Sequence, residues 1–293
     1  MAQNEIWTIG RILKWTEQYF GTKGVESPRL DAEVLLSHVV KKERIYLYVH
    51  FDEPLEPTEL TRYREYVKKR IQRMPVAYII GQREFMGLPF KVTPAVLVPR
   101  TDTEILVQAV MDRLKAASSG GDESLRAADI GTGSGAIALS LLHYLPTLQM
   151  VSVDISAAAL AVARENAAAL ELTERIAFCE GNLLAPLAGH MFQAIVSNPP
   201  YIPVDDIAGL APEVRDYEPR TALAGGPQGM DFYEQLVAGA AVFLAPGGFL
   251  ALEAGIRQAG AIGALAAKDP AWGRQEIIKD YAGIDRVVVL WKK

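Results

Sequence analysis

The stretch "ADIGTGSGAIALSLL" (residues 128–142) constrains the fold of this chain more than any other. An apolar run, three glycines at alternate positions and a second apolar run read as a strand, a tight turn and a helix. Gly131, Gly133 and Gly135 permit backbone conformations closed to other residues, and let a ligand approach bare peptide groups at a helix N-terminus. From Pro99 onward the chain keeps alternating in the same way: "RAADI", a helix after Gly135, "MVSVDI", an alanine-rich helix over 156–170, "RIAFCE", "QAIVS", a helix near 231–244, "FLALEA" and "DRVVVLW". This order predicts an α/β domain whose mostly parallel, Rossmann-like sheet is covered by helices on both faces.

The first 80 residues are different. Ser27 before Pro28 is an N-cap and first-turn pair, and Leu30, Val34 and His38 recur behind it at helical spacing. Between Pro57 and Pro75, Leu60, Tyr63, Val67, Ile71 and Met74 form one stripe opposite a strongly charged face. A small helical bundle over 1–80 is expected. Its basic run, Lys68, Lys69, Arg70 and Arg73, reads as a solvated helix face. Over 81–98, Gly87, Pro89 and Pro94 separate short β-prone pieces, which predicts a hairpin or extended linker ahead of a domain spanning 99–293.

Bulk composition excludes several functions. Net charge is −5, and it is unevenly split: residues 1–80 carry 13 Lys/Arg against 11 Asp/Glu, residues 81–293 carry 17 against 24. The larger part therefore lacks the basic footprint that phosphate backbones demand, and a DNA partner is not expected. Four scattered histidines (38, 50, 143, 190) make no metal-ligand spacing, and no metal is expected. The single cysteine, Cys179, reads as a small core residue at a strand end and fits a reducing cytoplasm. The start "MAQNEIWTIG" has no basic segment leading into an apolar one, so no leader is expected. The most apolar stretch, 236–255, is broken by Pro246, Gly247 and Gly248 and carries Glu253, which argues against a membrane span.

The ligand is narrowed in steps. The glycine turn alone also matches the G-x-G-x-x-A pattern of dinucleotide enzymes, counting Gly131, Gly133 and Ala136. Asp154 ends the next strand, 23 residues after Gly131, where a carboxylate accepts the ribose hydroxyls of an adenosine-type ligand. Asp154 also sits where it can cap the alanine-rich helix. Asn182 and Leu183, after the third strand, are placed to bond and cover an adenine. NAD and S-adenosylmethionine both carry that ribose and base, so neither position separates them.

The fourth strand does. It ends "IVSNPPYI", placing Asn198, Pro199, Pro200 and Tyr201 at the same sheet edge as Gly131 and Asp154. Prolines have no backbone N–H, and residues before proline are held extended. The turn is then a rigid corner that offers the Asn198 side-chain oxygen and the Pro199 carbonyl. A planar –NH2 group has two donors for such a corner, and Tyr201 is available to lie against the flat group bearing it. A dehydrogenase has no use for this arrangement; a methyltransferase acting on an amino or amide nitrogen does.

With these motifs in hand, the chain resembles the Asn-Pro-Pro-Tyr methyltransferases, and among them the peptide chain release factor glutamine methyltransferases (the HemK/PrmC family). "SPRLDAEVLLSHV", "EFMGLPFKVTPAVLVPRTDTE", "DIGTGSGAIAL", "VDIS", "VSNPPYI", "EPRTALAGG", "GGFLALEAG" and "DRVV" are similar to that family's segments, in its order. The resemblance implies an N-terminal helical domain that docks the substrate protein, a β-hairpin connector and a seven-stranded class I methyltransferase domain. It implies methyl transfer from S-adenosylmethionine to the glutamine side-chain amide in the Gly-Gly-Gln motif of class I release factors. Gly131, Thr132, Gly133, Ser134, Gly135, Asp154, Asn182 and Leu183 would hold the cofactor, with Arg100 and Glu104 lining its side. Asn198, Pro199, Pro200 and Tyr201 would hold the glutamine, with Asn198, Pro199 and Tyr201 carrying the catalysis. The chain departs from the family at Asn182, where an acidic residue is usual, and at Pro227-Gln228, where a Glu-Asp or similar pair is.

Rival readings remain: an adenine-N6 or other nucleic-acid amino methyltransferase, a nicotinamide oxidoreductase, and a non-catalytic adaptor docking through its helices. No general base is embedded in the Asn198 corner, and Glu253, ending "FLALE", reads as structural. A cytoplasmic monomer is expected.

Overall fold

The computed structural model describes residues 6–117 and 125–293. The opening "MAQNE", on which the reading of the chain's start partly rests, lies outside them. The chain divides into two compact units, Met1–Gly81 with Ala211–Tyr217, and Gln82–Leu210 with Glu218–Lys293.

The first unit is helical: α1 (Ile9–Thr22), α2 (Pro28–Val40), α3 (Arg44–Val49), α4 (Pro57–Ile71), α5 (Val76–Ile80) and, from the later segment, α9 (Pro212–Arg215). The Thr8 hydroxyl caps α1, and the Glu56 N–H donates to Glu59 in a capping box that opens α4. Leu13, Phe20, Leu35, Leu36, Leu47, Tyr63 and Val67 form the core, and the Tyr63 hydroxyl donates to the Ala32 carbonyl at 3.1 Å. The α2 stripe differs from expectation. Leu30 is 45% exposed, while Ala32, Leu35, Leu36 and Val39 face inward together with Glu33. Glu33 is tolerated there because Arg29, Arg44 and the Tyr48 hydroxyl all donate to its carboxylate. Ser27 occupies the N-cap position of α2, but its side chain makes no capping bond.

The basic run also reads differently in three dimensions. Lys68 and Lys69 are exposed, but Arg70 is buried, donating to Asp31 on α2 (2.7 Å) and Glu213 on α9 (2.9 Å). Arg73 joins the same Glu213 at 2.8 Å. Two of the four cations are therefore structural.

The second unit opens with a hairpin, β1 (Gln82–Phe85) and β2 (Leu88–Lys91), followed by α6 (Thr103–Ala117). The hairpin is not a free-standing linker, because Phe85, Leu88 and Phe90 pack into the same core as α6. Strands β3 (Arg126–Ile130), β4 (Gln149–Asp154), β5 (Ile176–Glu180), β6 (Phe192–Ser197), β7 (Leu244–Glu253), β8 (Trp272–Lys279) and β9 (Asp285–Lys292) form one sheet in the order β5-β4-β3-β6-β7-β9-β8. The pairs from β5 to β7 are parallel, and β9 runs antiparallel to both its neighbours. Alternation divides the core into two layers. Ala194, Val196, Ala251 and Val289 face one side with α6 and α7 (Ala136–Tyr144); Ile195, Leu250, Leu252 and Val288 face the other with α10 (Asp231–Gly239) and α11 (Ala259–Ala267). The remaining helix, α8 (Ala157–Ala169), anchors the hairpin: Asn166 donates to the Ser134 and Lys91 carbonyls and accepts from the Lys91 N–H. Among the described residues no helix is long and apolar enough to cross a membrane.

Candidate active site

Strand order reverses between β3 and β6, and in open parallel sheets ligands bind outside the carboxyl ends at such a point. A cavity of about 580 Å³ lies there, lined by Gly131–Ser134, Asp154, Asn182, Leu183, Asn198–Pro200 and Arg100, among others. These residues are far apart in sequence but come together at one sheet edge.

The glycine turn is shaped as the sequence predicts. Gly131 and Gly133 have φ of 74° and 57°, in the left-handed region, and a Cβ on either would project into open space. The turn is tied down by carboxylates. Asp154 Oδ2 accepts the Gly133 N–H at 2.8 Å, and its Oδ1 accepts the Ser156 N–H at 2.9 Å. Each carboxylate oxygen keeps a lone pair for a ribose hydroxyl. The cap of α8 falls to Ser156, whose hydroxyl oxygen accepts the Ala159 N–H, and not to Asp154. Below the turn, the Thr132 hydroxyl donates to fully buried Asp129 at 2.6 Å. Burial pushes the Asp129 carboxyl up to about 7.

Two expected cofactor residues stand elsewhere. Gly135 does not line the cavity: it is the N-cap residue of α7, where a Cβ would meet Leu139 at 3.0 Å and Ala163 at 3.3 Å. Glu104 is also outside the lining, and its carboxylate accepts the Met86 N–H at the hairpin turn. Arg100 does line the cavity and donates to both oxygens of buried Glu218, at 2.7 and 2.6 Å.

At the corner after β6, Asn198 Nδ2 donates to the Thr103 hydroxyl at 3.2 Å. This leaves Oδ1 as the free end of the amide. Among the described residues nothing donates to Oδ1 or to the Pro199 carbonyl, and both residues face the cavity. Tyr201 is not among the lining residues. Its half-buried ring packs against the α10 layer and its carbonyl accepts from Gln258 at 3.0 Å. Burial, followed by the nearby Glu253 carboxyl, pushes its phenol up to about 12. The corner is held from behind by "ALAGG": the Ile202 N–H donates to Leu223, and the Gly225 N–H donates back to Ile202. A Cβ on Gly225 would come within 2.7 Å of the Pro200 carbonyl oxygen, so only glycine allows this approach.

Sequence reasoning missed Thr103, Pro219–Ala222 and Phe232, which also line the cavity. Thr103 and Pro219–Ala222 lie inside the segments "VPRTDTE" and "EPRTALAGG" but received no role there, and Phe232, on α10, has no motif to mark it. The residues present suit an adenosine-bearing methyl donor: an open backbone cradle at Gly131 and Gly133, a carboxylate with spare acceptor capacity, and polar and apolar groups at Asn182 and Leu183.

Comparison with known proteins gives consistent matches. Residues 11–81 match the family model of the PrmC N-terminal domain, and residues 101–208 match the methyltransferase small domain. The release factor glutamine methyltransferase of Moorella thermoacetica is 48% identical, over 92% of this chain and 93% of that protein. The Geobacter sulfurreducens protein of the same name is 48% identical over 87% of each. Among solved structures, the N-terminal domain of human METTL16 aligns with a TM-score of 0.52 at 15% identity, covering 82% of this chain and 84% of that one. At that identity the likeness concerns the methyltransferase fold alone.

Proposed function

The chain belongs to the release factor glutamine methyltransferase family, and from that premise we propose that it methylates the side-chain amide nitrogen (N5) of the glutamine in the Gly-Gly-Gln motif of class I peptide chain release factors, with S-adenosylmethionine as methyl donor. The observation that carries the acceptor chemistry is the Asn198 amide. Its nitrogen is spent on Thr103, which leaves its oxygen and the Pro199 carbonyl as a pair of acceptors on the cavity wall.

S-adenosylmethionine supplies an activated methyl on a sulfonium. The residues of this chain must make a poor nucleophile usable, because an amide lone pair is delocalised into its carbonyl. Two acceptors that hold the amide N–H bonds favour pyramidal nitrogen and aim its lone pair. Holding both reactants in attack geometry lowers such barriers by about 7–11 kcal/mol. The cofactor would be held by the backbone of Gly131–Ser134, by Asp154 at the ribose, and by Asn182 and Leu183 at the adenine. Among the described residues no general base lines the corner, so on this reading the surplus proton leaves after methyl transfer.

The protein is read as acting in the cytoplasm as a monomer, with a release factor as its protein substrate and no DNA substrate. Incubation with a release factor and isotope-labelled cofactor, followed by peptide mass mapping, should place one methyl on the Gly-Gly-Gln glutamine. Label on an adenine of added RNA or DNA instead would replace this reading with that of a nucleic-acid amino methyltransferase.

A further inference from the structure

Glu253 ends β7 and is 1% exposed, yet its Oε2 has no hydrogen-bond partner among the described residues. It does not line the cavity; it lies behind Thr103 and Asn198, which do. A carboxyl buried without full satisfaction is a poor structural choice, since an apolar side chain would cost less there. The groups that face it are Asp102 and Thr103 at the start of α6, Asn198 after β6, Tyr201, Tyr233 on α10 and Arg286 on β9. Arg286 is the one cation in this set, and it is already paired with Asp280 at 3.0 Å and Asp102 at 3.1 Å.

The Asn198 amide is nearly symmetric in shape, so packing alone does not determine which end meets the substrate. A half-turn would present –NH2 to an incoming –NH2, two donors face to face. Thr103 cannot decide the matter, because a hydroxyl serves as donor or acceptor. An ionised carboxylate can, because it only accepts.

We propose that Glu253 is a positioning residue for the methyl acceptor: its carboxylate draws the Thr103 hydroxyl and the Asn198 –NH2 toward itself and so fixes Asn198 Oδ1 as the atom presented to substrate. The inference rests on the amide-methylation reading. Burial, the dominant influence on Glu253, pushes its carboxyl up to about 7, against which Thr103, Arg286 and Asn198 pull. The orienting form is thus present above that pH and is lost as pH falls through it. Protonation turns the acceptor into a donor and removes the preference for Oδ1.

A test independent of turnover uses the Asn198 side-chain –NH2 resonance. Asn198 is one of four asparagines, so an asparagine-labelled spectrum is sparse, and Asn198→Ser assigns the signal. In the native protein that signal should titrate with a midpoint near 7, and Glu253→Gln should abolish the titration. No titration in the native protein, or one that survives Glu253→Gln, overturns the proposal. In assays, Glu253→Gln should lower kcat about tenfold above pH 8, leave the cofactor KM within about twofold, and remove the fall in kcat on the acid side. Thr103→Val should add little to that loss, because both act through one amide. Additive losses, or a cofactor KM that rises with the loss of kcat, count against it. If the native enzyme fails to methylate a release factor, the proposed activity fails, while the resonance titration still decides the role of Glu253.

Discussion

On the proposed reading a single amide, Asn198, decides what this cavity accepts, while the Asp154 carboxylate holds the glycine loop through the Gly133 N–H. Asn198→Ala should leave cofactor affinity by calorimetry within a few-fold while kcat falls by about 10²–10³, the cost typical of a lost transition-state partner. Asp154→Ala should do the reverse, weakening cofactor binding first, because Asp154 lines the cavity where the ribose is proposed to sit and fastens the Gly133 N–H. Asp129 makes a prediction about stability. Its folded carboxyl sits near 7 against an ordinary 3.8, so the folded state holds a proton that the unfolded state releases. Stability must then fall as pH rises across that interval. Asp129→Asn removes this contribution, and the difference in urea midpoint between about pH 4.5 and pH 7.5 should shrink. An unchanged difference would show that Asp129 is ionised in the native protein. The placement of the cavity was legible in the sequence, since Gly131, Gly133, Asp154 and Asn198 each follow a strand in a recognisable pattern and all four line it. Thr103 and Glu253 were not, because one opens a helix and the other closes a strand 150 residues later, and only the sheet brings both against Asn198.

At the scale of elements, the strands that the sequence made obvious are the ones buried on both faces. "RAADI", "QAIVS" and "DRVVVLW" are almost continuously apolar because helices cover both their sides. β8, "WGRQEIIK", escaped notice because it is the sheet's edge and mostly solvated, so its polar positions resemble a loop. α6 was hidden for a different reason: "TEILVQAVMDRLKAA" follows directly on a motif-rich segment, although Gln108, Asp112 and Lys115 form an exposed stripe opposite its buried face. On α2, a stripe of residues four apart pointed to the wrong face, since Glu33 is inward and solvated only by its three donors. α4 supplies the element-scale prediction. Arg70 is 5% exposed and holds two carboxylates, so Arg70→Ala strands Asp31 without a cation and leaves Glu213 to Arg73 alone. A loss of about 3–5 kcal/mol is expected by chemical denaturation of the intact protein. The exposed Lys69, changed to Ala, serves as the control and should alter stability by less than about 0.5 kcal/mol.

For the whole molecule, charge bears on the rival substrate. A net charge of −5, in which the −7 of residues 81–293 outweighs the +2 of residues 1–80, gives little non-specific attraction for nucleic acid. Duplex DNA added at low salt should therefore leave release-factor methylation unslowed, and strong inhibition would reopen the adenine reading. The connectivity has a separate consequence. The chain quits the second unit after Leu210, gives Glu213 to Arg70 and Arg73 and the Tyr217 hydroxyl to the Gln72 carbonyl, and re-enters at Glu218. The helices are sewn into the protein by this return stitch. Deletion before Gln82 is no clean excision, since it orphans a seven-residue seam in the middle of the remaining sequence.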